Sequence, residues 1–211
     1  MNHDLLIFGG ESTALEIFET IETHCADDFN KVLLVIRDGE KIDSAYNFIN
    51  DSEVKSYVKK NRCFYIIGFT NQNLRKQMQD TMKSLSVKPT NIIHPSSTIF
   101  NSARIGTGNY IGANTVISHK AKISNHCIIN INSTIGHNSI IESNCIILPG
   151  ARVGGNVSLG KRVLIGSNSF ILQGKSIGDD CLVDALTYVD RDISNNNICT
   201  SKKLNVLKRV V

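Results

Sequence analysis

The chain has 211 residues, 41% hydrophobic and 20% charged, which is the composition of a globular protein and excludes a disordered or collagen-like one. Its net charge of +4, from 23 basic and 19 acidic residues, is too mild and dispersed to point to nucleic acid. No apolar run reaches the ~18 residues of a membrane span, the start MNHDLLIFGGES has no leader-like pattern, and the 6 cysteines form no CxxC pair, so free thiols and a cytoplasmic location are expected.

Residues 1–90 read as a small parallel α/β domain. HDLLIFGG is a buried strand entering a tight loop at Gly9-Gly10. Ser12 is placed to cap an amphipathic helix over Thr13–Thr23, with Ala14, Leu15, Ile17, Phe18 and Ile21 on one side. Lys31–Ile36 and Cys63–Gly68 are two more apolar strands, the first ended by Arg37-Asp38-Gly39. Ile42–Asn61 is expected to hold a short helix or strand and then a helix. Asn71–Ser86 is a helix with Leu74, Met78, Met82 and Leu85 inward, and Val87–Pro95 is a linker.

A different period governs residues 91–211. Every sixth residue is aliphatic from Ile99 through Ile105, Ile111, Ile117, Ile123, Ile129, Ile135, Ile141, Ile147, Val153, Leu159, Ile165, Ile171 and Ile177 to Val183. Six is neither a helical nor a simple strand period. It fits a short strand plus a turn, and three such sides make one 18-residue coil of a triangular parallel β-helix. The residue four after each aliphatic is often small (Ala121, Cys127, Ser133, Cys145) and is expected inside each bend. The residue just after it is often Gly, Ser or Asn, and is expected to supply the φ > 0 of the turn. From Asp190 the hexad phase is lost, and the tail carries Lys202, Lys203, Lys208 and Arg209.

Acyl transfer needs a nucleophile, a base and oxyanion donors, and histidine suits the base. His3 and His24 read as surface residues and His94 as a packing residue at the domain junction. His119 and His137 are 18 apart and share a column of the solenoid with Asn101, Gly155 and Gln173, while His126 is in another register. Gly155 is expected to leave open space and a backbone N–H over the His137 imidazole, to serve the turn Gly154-Gly155-Asn156, or both.

An α/β domain with a glycine loop, then NIIHPSSTI and uninterrupted hexads, resembles the bacterial sugar acetyltransferases related to the sialic acid O-acetyltransferases and the nucleotide-4-amino-sugar N-acetyltransferases. The run NINSTIGHNSIIESNCIILPGARVGGNVSLG, Asn130–Gly160, carries the more specific likeness. The resemblance implies a left-handed β-helix, a homotrimer, and acetyl-CoA in the groove between neighbouring helices, with no metal. It implies that His137 is the catalytic base, that Gly155, Gly166, Ser167 and Ala185 hold CoA, and that Lys202 and Lys203 reach its phosphates. It also implies that the α/β domain binds a nucleotide sugar at an edge formed by Gly9, Gly10, Ser12, Arg37, Asp38 and Gly68. Gly10 is expected to need both φ > 0 and free space for a phosphate.

Three departures stand out. Relatives have an acid after the histidine where this chain has Asn138, so the base is weaker or another carboxylate replaces the acid; Asn138 is expected to orient the ring through its carbonyl. Glu11 replaces a neutral loop residue and opposes a diphosphate if it faces one. Asp184-Ala185 stands where relatives have a glycine pair. The expected activity is acetyl transfer to a nucleotide-linked 4-amino-4,6-dideoxy sugar in bacterial surface-glycan synthesis. Alternatives are O-acetylation of a sialic-acid-type sugar, a γ-carbonic-anhydrase-like zinc enzyme, for which spacings of seven and eleven among His119, His126 and His137 fit poorly, and a scaffold without activity.

Overall fold

The computed structural model describes residues 3–200; Lys202, Lys203, Lys208 and Arg209, with their expected part in CoA binding, lie outside the described residues. Strands β1 (Asp4–Phe8), β2 (Val32–Ile36), β3 (Phe48–Asn50), β4 (Cys63–Ile67) and β5 (Lys88–Pro89) form one parallel sheet in the order β3-β2-β1-β4-β5. These strands are apolar on both sides because helices cover both faces. Leu5, Ile7, Leu34 and Ile66 pack against Ala14, Ile17, Phe18 and Ile21 of α1 (Thr13–His24). Leu6, Phe8, Val35 and Ile67 alternate to the other face, against Val54 of α2 (Val54–Lys60) and Met82 of α3 (Gln72–Ser84).

The two helix starts differ. Asn71 caps α3, its side chain accepting from the Leu74 amide at 3.1 Å. Ser12 precedes α1 but its side chain caps nothing, contrary to expectation. Its φ of 38 belongs to a tight turn closed by the Ala14 amide on the Glu11 carbonyl at 2.9 Å, which turns the hydroxyl out to solvent.

From Ile92 to Cys199 the chain winds as a left-handed parallel β-helix of two-residue strands in three sheets. Each strand pairs with the one 18 residues on, as Ile117 with Ile135, Ile123 with Ile141 and Ile129 with Ile147. The in-phase aliphatics fill the axis, and a fully buried Ile or Val contributes roughly 1.5–3 kcal/mol. The winding begins one hexad earlier than the sequence period suggests, since Ile93 already pairs with Ile111. What reads as a linker is thus split between the last strand of one sheet and the first of the next.

The corners correct one expectation. The residue with positive φ is the third after each aliphatic, as in Asn114, Lys120, His126, Asn132, Asn138, Asn144 and Asn156. Asparagine dominates there because its short polar side chain tolerates the left-handed region. The glycines just after the aliphatics have another reason: a Cβ on Gly106 would stand 2.8 Å from the Ser124 carbonyl oxygen, and one on Gly154 2.7 Å from the Gln173 nitrogen. They permit close stacking of coils rather than a reversed turn.

Residues 190–199 leave the hexad phase yet stay in the solenoid. Ile193 bridges Ile177, and Ile198–Cys199 pairs with Leu182–Val183, an offset of 16 rather than 18. Asp192 and Asn195 knit the shortened coil by accepting from the Ser176 and Asp179 amides at 2.8 and 2.9 Å.

One solenoid face is covered. Tyr110, Ile128 and Ile146 project from it into the cluster of α1 residues Ala14, Ile17, Phe18 and Ile21. At the neighbouring corner α3 docks through polar contacts. Gln72 Nε2 donates to the Asn144 carbonyl at 2.9 Å, Gln79 Nε2 to Asn144 Oδ1 at 2.6 Å, and Arg75 to the His126 carbonyl.

Candidate active site

In the strand order β3-β2-β1-β4-β5 the winding reverses beside β1, and open α/β sheets bind ligands beyond the carboxyl ends of strands at such a point. A cleft of about 860 Å³ opens there. Gly9 and Gly10 line it after β1, Arg37 and Asp38 after β2, and Gly68 after β4. Ser12, the remaining expected substrate residue, is not among the lining residues, because its turn points it outward.

The glycine roles are redistributed. Positive φ belongs to Gly9, at 124, and not to Gly10. A Cβ on Gly10 would press on Ile36 Cγ2 at 2.9 Å, so that glycine lets the loop lie against β2. A Cβ on Gly68 would stand 2.6 Å from Ala14 Cα, so Gly68 serves the close crossing of β4 and α1.

The cleft is richer in carboxylates than expected. Glu11 does line it, joined by Asp38, Glu40 and Asp51, with Arg37 the guanidinium among them. Two of the acids are already held: Asp38 Oδ1 accepts from Ser52 Oγ at 2.9 Å, and Glu40 Oε2 from the Arg37 amide at 3.1 Å. The wall facing β2 comes from Leu74, Gln77 and Met78 of α3. The amphipathic pattern assigned Leu74 and Met78 to the core; both are half-buried because they border this opening.

His137 stands exposed at the corner between Thr134–Ile135 and Ile140–Ile141. An added Cβ on Gly155, one coil on, would lie 2.5 Å from its Nε2 and 2.6 Å from its Cε1. The expected open space over the ring is therefore taken by the ring itself. Asn138 is at the positive-φ position, φ 58, which swings its amide back onto the ring, Nδ2 lying 3.1 Å from Nδ1. The amide nitrogen, not the expected carbonyl, meets the ring. His119 occupies the same corner one coil below, with Nδ1 3.0 Å from Ser102 Oγ, and its carbonyl accepts from the Asn138 amide at 2.9 Å.

Gly166, Ser167 and Ala185 lie on a different corner, after Leu164–Ile165 and Leu182–Val183, separated from the His137 corner by the face that carries the stacked rings of Phe170 and Tyr188. Within one chain the expected CoA residues thus split, Gly155 with His137 and the rest elsewhere. Among the described residues no solenoid residue lines the cleft either.

His126 and His94 each pack against another ring. His126 lies on the corner facing α3, stacked on Tyr65 with centroids 5.9 Å apart. Burial, with Arg75 beside it, lowers its pKa to about 4. His94 packs edge-on against His24 at 4.7 Å, and burial lowers its pKa as well. His126 is therefore not placed with His119 and His137, and among the described residues no group of His, Cys, Asp and Glu could hold a metal ion.

Among the described residues no helix is long and apolar enough to cross a membrane. The family described as bacterial transferase hexapeptide (six repeats) matches residues 138–173, and the hexapeptide repeat of succinyl-transferase matches 156–191. No curated protein matches by sequence. A variant of perosamine N-acetyltransferase from Caulobacter crescentus, in complex with CoA and GDP-perosamine, superposes with TM-score 0.87 at 22% identity, over 94% of this chain and 93% of its own. The acetyltransferase domain of PglB from Neisseria gonorrhoeae gives 0.85 at 19% identity, over 95% and 97%. WeeI from Acinetobacter baumannii gives 0.82 at 16%, over 92% and 94%. The chain carries the hexapeptide repeat of the bacterial transferases and has the two-part fold, α/β domain and left-handed β-helix, of these three solved structures.

Proposed function

We propose that the chain is an acetyltransferase that moves the acetyl group of acetyl-CoA onto the amine of a nucleotide-linked 4-amino-4,6-dideoxy sugar, in the synthesis of bacterial surface glycans. The observation that carries this reading is an exposed imidazole seated on the glycine of the next coil, in a chain whose α/β domain offers a cleft at the sheet's reversal point. The likeness to a perosamine N-acetyltransferase that holds CoA and GDP-perosamine supports the same chemistry.

In this reading the amine attacks the thioester carbonyl, His137 Nε2 takes the amine proton, the C–S bond breaks, and the proton leaves on the CoA thiol. Nε2 can accept only if Nδ1 carries hydrogen. The Nδ2 contact of Asn138 calls for the opposite tautomer. A half-turn of the amide puts Oδ1 on Nδ1–H with no other movement, and makes Asn138 the ring's orienting partner. The Gly155 N–H takes no part in the coil-to-coil hydrogen bonds and is free to donate to the oxyanion.

The cleft suits the nucleotide. The starts of α1 and α3 both border it, and free helix amides favour a diphosphate. The α3 start is the better seat, since its first turn carries no acid while Glu11 stands beside the other. Asp38, with one oxygen uncommitted to Ser52, can accept from ribose hydroxyls or base N–H groups.

The split between the His137 corner and the Gly166–Ser167 corner supports a homotrimer, in which one copy's His137 wall faces the next copy's Ser167 wall across the CoA groove. Mixed His137→Ala and Ser167→Trp chains should then regain activity that neither has alone; a monomer by light scattering at micromolar concentration contradicts the arrangement.

The test of the activity is CoA release from acetyl-CoA against a panel of GDP- and UDP-linked 4-amino sugars and free sialic acid. Turnover with a nucleotide-linked amine supports the reading. Turnover with sialic acid alone moves the chemistry to O-acetylation, and no turnover with either contradicts acetyl transfer.

A further inference from the structure

Arg75 is 1% exposed and, among the described residues, has no carboxylate partner. Its guanidinium spends its hydrogens on carbonyls instead. Nη1 donates to Phe69 O at 2.7 Å and to Ile67 O at 3.4 Å, and Nη2 donates to the His126 carbonyl of the solenoid. Neither the Phe69 nor the His126 carbonyl takes part in the backbone bonds of the loops and coils. Nε finds no partner, and neither does Oε1 of Gln72, one helical turn before it.

This is a costly way to fill space. A buried cation without a counter-charge, carrying an unpaired N–H, loses to an apolar residue of similar size if packing is all that is required. What the guanidinium adds is direction. Its planar fork reaches two bodies at once, the loop that closes β4 and a corner of the β-helix, and a lysine has one point charge where this geometry needs a fork. Phe69 and Gly68 line the cleft, and His126 is fixed in turn by its stacking on Tyr65 and by the Gly108 backbone beneath it.

We propose that Arg75 is a positioning residue that locks the Gly68–Phe69 edge of the cleft to the His126 corner of the solenoid, and so sets where a nucleotide-linked acceptor is aimed. The proposal rests on the functional reading above for its last clause only. The interdomain lock itself is independent of the substrate.

The experiment compares the full chain with Arg75→Lys and Arg75→Ala, the latter with and without free guanidinium. Amide hydrogen exchange is followed at the bonded Gly68 and His126 N–H groups, which sit on either side of the lock. The expected result is exchange about tenfold faster at both sites in either variant, with β1 and the solenoid axis unchanged, and restoration by guanidinium in Arg75→Ala. The variants should also lose kcat with the nucleotide-linked amine while CoA affinity by calorimetry is unchanged. An even rise across the whole α/β domain, no rise at all, or no effect of guanidinium overturns the proposal. If Arg75→Ala does not fold, Arg75→Lys, which keeps the charge and loses the fork, decides it by the same exchange pattern. If the unaltered chain shows no transfer to any nucleotide-linked amine, the functional reading fails, and the exchange and rescue data still judge the lock.

Discussion

The Nε2 edge of His137 rests against Gly155, so closely that a Cβ there would stand 2.5 Å from Nε2. The glycine has an ordinary backbone conformation, so alanine at 155 is tolerated by the chain and resisted by the ring. Gly155→Ala should therefore keep the fold and displace the imidazole, lowering kcat about tenfold or more. An unchanged kcat would mean that the seat of the ring does not matter.

Asn138 touches Nδ1 of the same ring at 3.1 Å. Asn138→Asp supplies an acceptor in every orientation and a charge that favours imidazolium, so the acid limb of the pH–rate profile should move to higher pH. Asn138→Ala should reduce kcat severalfold. Indifference to both changes would separate position 138 from the reaction.

The cleft predicts a division of labour. Asp38→Ala removes an acceptor and should weaken the nucleotide sugar by about fivefold, the loss of one hydrogen bond. Gly9→Val should do more, because φ is 124 there and the new Cβ would meet Ala14 Cβ at 3.0 Å. Calorimetry should show CoA affinity unchanged in both. Normal binding of the nucleotide sugar by both variants would place the acceptor elsewhere.

His126 couples the domain joint to pH. Its folded pKa, about 4, lies below the ~6.5 of an unfolded chain, so the unfolded state binds the proton first. Its contribution to stability is complete above pH ~6.5 and is lost as pH falls toward 4, at most about 3 kcal/mol in all. His126→Asn suits the φ of 58 and does not titrate. Urea midpoints at pH 7.5 and 4.5 should fall less in this variant than in the unaltered chain; equal falls would assign the pH dependence to other groups.

Much of the architecture was legible because burial repeats it. Ile99 to Val183 share one inward position, and a strict period survives wherever the same environment recurs. The corners were less legible, since glycine has two uses that sequence does not separate: at Gly106 and Gly154 it admits the next coil, while the positive φ falls two residues later, on Gly108 and Asn156. The last coil was hidden by its two-residue shortening, which removes the phase but not the pairing of Ile193. Of the six residues expected at the sheet edge, five line the cleft because strand ends place them there, and Ser12 does not, because its turn conformation is set by Glu11 and Ala14. The joint was the least legible. Gln72, Arg75 and Gln79 recur at helical spacing of three and four, a polar stripe that reads as solvated until the solenoid is seen against it. The division of His137 and Ser167 between two corners follows from which third of the coil each occupies, and only winding the chain reveals it.

In the proposed reaction His137 moves the proton. Single-turnover acetyl transfer should be measured, with saturating acetyl-CoA and the nucleotide-linked amine, in His137→Ala and in His119→Ala, its neighbour on the same corner. The expected result is a loss of ~10²-fold or more in the first, with CoA affinity retained, and a nearly unchanged rate in the second. An active His137→Ala, or a loss confined to His119→Ala, would contradict it.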